Sequence, residues 1–125
     1  FEVSSYLNYQ GDKFARRFDA NSYILITKML DYFDLGANFE NNIKDAFKQA
    51  ACKFLVISFS SDWRFSPDCS KLIVDALIAA DKDVSYLEIE SDQGHDAFLL
   101  PNKRYEQGLQ GYLKHIAKTL FKVAV

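Results

Sequence analysis

Proline and cysteine are scarce in this chain, two of each in 125 residues, alongside five glycines, one methionine and one tryptophan. Cys52 and Cys69 are too few for a disulfide framework, so a packed core must hold the fold and two buried, reduced thiols are expected. No apolar run approaches the ~20 residues needed to span a bilayer, and the first residues hold no basic stretch followed by a hydrophobic one. A cytosolic protein with no membrane partner is the expectation. Charge of one sign is also lacking. With 15 basic and 17 acidic residues the net charge is −2, whereas a phosphate backbone needs a clustered basic surface, so nucleic acid is not an expected partner. His95, His115, Cys52 and Cys69 show no metal-ligand spacing, and neither metal nor cofactor is expected. The chain opens on Phe1, and Met29 is its one methionine; the expectation is a gene product that begins upstream.

What is present is a globular balance, 49% hydrophobic and 26% charged, with too much apolar content for disorder. The first ~35 residues read as two helices. Leu7, Phe14 and Phe18 mark the first, with Gly11 as a weak point. Ile24, Leu25, Met29, Tyr32 and Phe33 mark the second, after the cap-like Asp19-Ala20-Asn21-Ser22. Phe1, Tyr6, Tyr9, Phe14, Phe18, Tyr23, Tyr32 and Phe33 are more rings than two short helices can shelter, which predicts packing on another domain or subunit. "DLGANFE" then breaks the pattern, and a third helix is expected to start after Asn38, using Phe39, Ile43, Phe47 and Ala50.

From Lys53 the period changes. "FLVISF" (Phe54 to Phe59) is a continuous apolar run of strand length, suited to a parallel strand covered on both faces. "SSDWRFSP" is a loop, in which Ser66 caps the next helix, Pro67 takes its first position and Asp68 its first turn. Leu72, Ile73, Ala76, Leu77 and Ala80 are the expected buried stripe of that helix. "VSYLEIE" (Val84 to Glu90) alternates, with Glu88 and Glu90 toward water, as a half-exposed strand near a sheet edge. A long helix from Arg104 to Lys122 closes the chain. There are no internal repeats. The second half is thus strand, helix, strand, helix, an α/β arrangement with a parallel sheet, whose ligands gather at the carboxyl ends of the strands. Asp62 follows the first strand and His95 the second, so both belong to one rim.

A carboxylate and an imidazole there are two members of an acyl-transfer triad: the ring moves the proton and the carboxylate fixes its tautomer. In α/β-hydrolase folds the order is nucleophile, acid, histidine, and Asp62 before His95 fits the last two places. Gly94 lets the loop turn tightly toward the site. None of Gly11, Gly36, Gly94, Gly108 or Gly111 brackets a serine or cysteine. Either the pair is coincidental or the chain is the C-terminal part of a longer enzyme.

Taken together, "YLNYQGDKFARRFDANSYILITKMLDYFD", "SSDWRFSP" and "GHDAFLLP" strongly resemble the homoserine O-acetyltransferase family, which includes homoserine O-succinyltransferases. The resemblance covers nearly the whole chain. It implies an α/β-hydrolase fold, with residues 1–37 as a helical lid segment and 38–125 as the C-terminal portion of the core. It also implies a ping-pong reaction in methionine biosynthesis: acetyl-CoA or succinyl-CoA, as co-substrate, acylates a serine, and L-homoserine takes the acyl group. By motif, Asp62 is the triad acid, His95 the triad base and Asp96 the substrate-binding aspartate. The nucleophile and a substrate-binding arginine would lie in a missing N-terminal part of the same enzyme, so the isolated chain is expected to be inactive. A homodimer through the lid helices is also implied. Arg64 with "KDVSYLEIE" looks more like the succinyl-transferring branch, where a cation could favour the donor's carboxylate; a plain surface charge is the alternative.

Other readings of the same residues remain open. Asp96 could cap the short "AFLL" turn, His115 is structural or solvated, and Trp63 and Phe65 are expected to pack under the acid loop. Beside the acyltransferase stand another α/β-hydrolase-fold esterase or serine O-acyltransferase, and a non-catalytic interaction module. Asp96→Ala separates the first two, because only a transferase needs an acceptor site. The module would be monodisperse alone, whereas a piece of a larger sheet would associate through the open "FLVISF" edge.

Overall fold

The computed structural model describes residues 2–121. The chain divides into two compact units, Phe1–Leu35 and Gly36–Val125.

The first unit holds α1 (Glu2–Arg17) and α2 (Ala20–Tyr32). The helix continues through Gly11, so that residue is not a break. Asp19 caps α2: its carboxylate accepts the Ser22 N–H at 2.7 Å, and this bond holds the carboxyl below its ordinary range. Phe14 stacks on Phe18 with centroids 4.6 Å apart and meets Tyr23 edge-on at 6.4 Å. Neither helix buries a residue. Tyr6, Leu7, Tyr9, Leu25 and Met29 all stand open to solvent.

The second unit begins with a 3-10 turn at Ala37–Phe39 and a short helix, α3 (Ile43–Phe47). The helix expected after Asn38 therefore starts later and ends sooner. Glu40 and Asn41 adopt left-handed backbone, with φ of 54° and 61°, and two such residues in succession cannot continue a right-handed helix. Next come β1 (Phe54–Phe59), α4 (Pro67–Ala79), β2 (Val84–Ile89), a 3-10 turn at Gly94–Leu99 and α5 (Lys103–Phe121). The two strands pair in parallel, from Phe54 with Val84 to Phe59 with Ile89. They are the one sheet among the described residues, and β1 is only half-buried over its first four positions.

The α4 helix follows its local signals at both ends. Ser66 accepts the Cys69 N–H at 3.3 Å. At the other end Asp81, with φ of 57°, donates to Ile78 O while Lys82 donates to Leu77 O. That pair of bonds is the Schellman pattern, with an aspartate where glycine is usual. Its buried stripe differs from the expected one. Val74 and Leu77 are buried, whereas Leu72 is 63% exposed and Ile73 is also open, because the narrow two-stranded sheet covers a single stripe of the helix. The thiols differ as well. Cys52 and Cys69 are free, as expected, but exposed rather than buried: one lies in the turn before β1 and the other in the first turn of α4.

On one face of the sheet Ser58, Tyr86 and Glu88 form a polar chain. Ser58 Oγ and Tyr86 OH are 2.7 Å apart, and Tyr86 donates to Glu88 at 3.2 Å. Lys71 of α4 pairs with Glu88 at 3.0 Å and lowers its pKa, so Glu88 is half-buried and partnered rather than turned to water. On the other face Phe59, Ile89 and Ala97 are buried, with Ile57, Leu87 and Tyr105 packed around them. Gly108 brings α5 close to β2, since a Cβ there would collide with Leu87. Each strand thus ends over a packed layer, which fixes the height from which the loops depart.

Candidate active site

The loops after β1 and β2 meet at the carboxyl ends of the strands. Asp62 N–H donates to Phe59 O at 3.0 Å, a turn that ends the strand's alternation and brings the carboxylate inward. Asp62 is 7% exposed. Its Oδ1 accepts the backbone N–H groups of Arg64 and Phe65, both at 2.9 Å. Its Oδ2 is 3.0 Å from His95 Nδ1. The hydrogen bond from His95 does most to lower the carboxyl pKa, followed by the Phe65 N–H. An ionised carboxylate only accepts hydrogen bonds. The proton of the neutral ring therefore belongs on Nδ1, and Nε2 keeps its lone pair.

His95 is the second residue of the 3-10 turn, directly after Gly94, whose φ of 66° suits glycine. Two further contacts tie the loops. Ser60 Oγ accepts the Ser91 N–H at 2.9 Å and donates to Ser91 O at 3.1 Å. Ser61 Oγ accepts the Gly94 N–H at 2.9 Å. The imidazole lies between two rings, Phe65 at 5.1 Å and Phe98 at 6.0 Å. About a third of the His95 side chain remains open to solvent. A carboxylate-bound, partly open imidazole with a free nitrogen can take a proton from a hydroxyl and return it, the elementary step of acyl transfer.

Of the residues singled out in the sequence, Asp62 and His95 are brought together. Asp96 occupies the first turn of the 3-10 segment, exposed and with no side-chain hydrogen-bond partner among the described residues, while Gln93 holds the capping position. Asp96 therefore does not cap the "AFLL" turn. Trp63 and Phe65 do not pack under the loop. Trp63 is 81% exposed with the Arg64 guanidinium 5.9 Å from its ring, and Phe65 faces the imidazole. The buried residue of this loop is instead Asp62, whose carboxylate collects the Arg64 and Phe65 amides. His115 is exposed on α5. Sequence reasoning missed Ser60, Ser61 and Phe98; a pair of serines beside an acid carries no signal of its own. Among the described residues no cluster of His, Cys, Asp or Glu could hold a metal, and no helix is long and apolar enough to cross a membrane.

No protein-family model matches the chain. It is 59% identical over 116 residues to a homoserine O-succinyltransferase of Pseudomonas fluorescens, covering 93% of the chain and 31% of that protein. Identities of 60% and 57% link it to homoserine O-succinyltransferases of Cellvibrio japonicus and Teredinibacter turnerae, again over 93% of the chain and 30% of the relative. The chain thus spans about a third of the length of the curated relatives it matches. The likeness read from the three motifs is present across nearly all of it.

Proposed function

We propose that this chain is the C-terminal part of a homoserine O-acyltransferase built on an α/β-hydrolase scaffold, with succinyl-CoA as donor. The observation that carries the reading is the 3.0 Å contact between Asp62 and His95 at the ends of two parallel strands, in a chain this similar to proteins named for that activity. His95 Nε2 accepts the proton of a serine hydroxyl supplied by the rest of the enzyme as that oxygen attacks the thioester carbonyl. The tetrahedral intermediate collapses, the C–S bond breaks and the imidazolium returns the proton to the departing thiolate. In the second half, His95 takes the proton of the homoserine hydroxyl while its oxygen attacks the acyl-serine; the proton then goes to the serine oxygen as it leaves. Asp62 holds the tautomer and stabilises the imidazolium in both halves.

Asp96, exposed beside His95 and unpartnered, is suited to the homoserine ammonium. The Arg64 guanidinium has no carboxylate partner among the described residues and is suited to the terminal carboxylate of a succinyl group. Residues 1–35 would act as a lid that keeps water from the acyl-enzyme and would join two subunits through their exposed rings. The reaction would serve methionine biosynthesis in the cytoplasm.

The test is CoA release by the intact enzyme with homoserine, offered succinyl-CoA or acetyl-CoA. Preference for succinyl-CoA, lost on Arg64→Ala, supports the donor; equal or better use of acetyl-CoA removes it. Asp96→Ala should abolish homoserine-dependent release and leave slow hydrolysis. If Asp96→Ala has no effect, the site belongs to an esterase.

A further inference from the structure

Two consecutive serines precede Asp62, and both bind the loop that carries the histidine. With Asp62 they make three successive cross-links between the loops: Ser60 with Ser91, Ser61 with Gly94, and Asp62 with His95. Backbone pairing of the strands stops with the Ser60 N–H bond to Ile89 O at 2.9 Å. Beyond it, side chains continue the pairing.

The middle rung matters most. Gly94 is the residue directly before His95, and its left-handed φ of 66° sets the direction in which the turn leaves. Its N–H opens the 3-10 segment, where first-turn amides have no partner within the helix. Ser61 Oγ supplies that partner from 33 positions away. Ser61 is also bonded covalently to Asp62. One hydroxyl therefore locates the backbone on either side of the carboxylate–imidazole contact.

We propose that Ser61 is a positioning residue for the Asp62–His95 pair, setting the distance and angle at which the imidazole meets the carboxylate. The proposal rests on the catalytic reading above for its effect on rate, though not for its effect on geometry. Without the hydroxyl the Gly94 amide loses its partner, and the ring is left with its bond to Asp62, its Phe65 and Phe98 contacts and the more distant Ser60–Ser91 tie. Small displacements at a reacting centre cost rate out of proportion to stability.

The experiment uses the intact enzyme and two readouts: kcat and KM for both substrates, and the low-field proton NMR signal of the Nδ1–H bound to Asp62. Ser61→Ala should lower kcat by roughly 10–100-fold, leave both KM values within about twofold, and broaden or abolish the signal. Ser61→Thr should restore both, and Ser61→Cys, close in size but a weaker acceptor, should fall between and stands in if the alanine variant does not fold. An Ser61→Ala or Ser61→Cys enzyme with unchanged kcat and a sharp signal overturns the proposal. Full activity in His95→Ala overturns the catalytic reading alone, because loss of the Nδ1 signal in Ser61→Ala would still demonstrate the positioning role.

Discussion

The two halves of the chain use the same local rules to different ends. In α1 and α2 the capping aspartate and the apolar periodicity are all in place, yet no side chain is buried. In the second unit similar caps frame α4, and there Leu77 and Ile89 are completely enclosed. Local signals decide where a helix starts; a second surface decides whether its apolar face leaves water. The first unit has the signals and lacks the surface. The second has enough of a sheet to fix two loops against each other, and its candidate chemistry stands on those loops.

The strongest way to sharpen the contrast is to remove the imidazole. On the proposed acyltransferase reading, His95→Ala in the full-length protein should lower kcat by roughly 10⁴–10⁶-fold, while a substitution at an exposed ring of the first helices, such as Tyr9→Ala, should leave kcat within tenfold; steady-state assays decide. Next in size is stability. Leu77→Ala should cost the chain about 2–5 kcal/mol in denaturant unfolding. Leu25→Ala, 59% exposed, should stay within about 0.5 kcal/mol, and an equal cost for the two would break the comparison. Ser66→Ala removes the α4 cap and should cost about 1 kcal/mol, measured the same way.

The smallest effect is a pH dependence. The Asp62 carboxyl is held below its ordinary range, chiefly by its bond to His95. Its contribution is therefore complete above the unfolded value of about pH 4 and is lost as pH falls through the lower folded value. Thermal midpoints of the chain and of Asp62→Asn should converge in that acid window and separate above it. Parallel curves would refute the linkage.

How much of this was legible beforehand depends on which physical signal each element carries. The unbroken "FLVISF" run and the Ser66-Pro67-Asp68 cap are strong local signals, and β1 and α4 begin where those signals stand. Parallel pairing follows from the strand–helix–strand order, so Asp62 and His95 could be placed on one rim before any distance was known. The turn at Glu40–Asn41 carries only a weak local signal, since Asn41 tolerates left-handed backbone but Glu40 does not favour it and no glycine or proline marks the position. Exposure of Leu72 and Ile73 escaped for another reason: periodicity names the apolar face of a helix and says nothing about how wide its neighbour is. The serine rungs were silent because loop hydroxyls are common and the bonds they make are long-range. The aromatic surplus of the first 35 residues was visible as composition, and the rings from Tyr6 to Phe33 are exposed, Phe1 lying outside the described residues.

Both oxygens of the Asp62 carboxylate are engaged. With Oδ1 held by two amides and Oδ2 by the ring, the carboxylate cannot rotate away, and the imidazole presents a single reactive atom. Alkylating or acylating reagents should label one ring nitrogen and not its twin, so the regiochemistry of a chemical adduct would report whether the pair is intact.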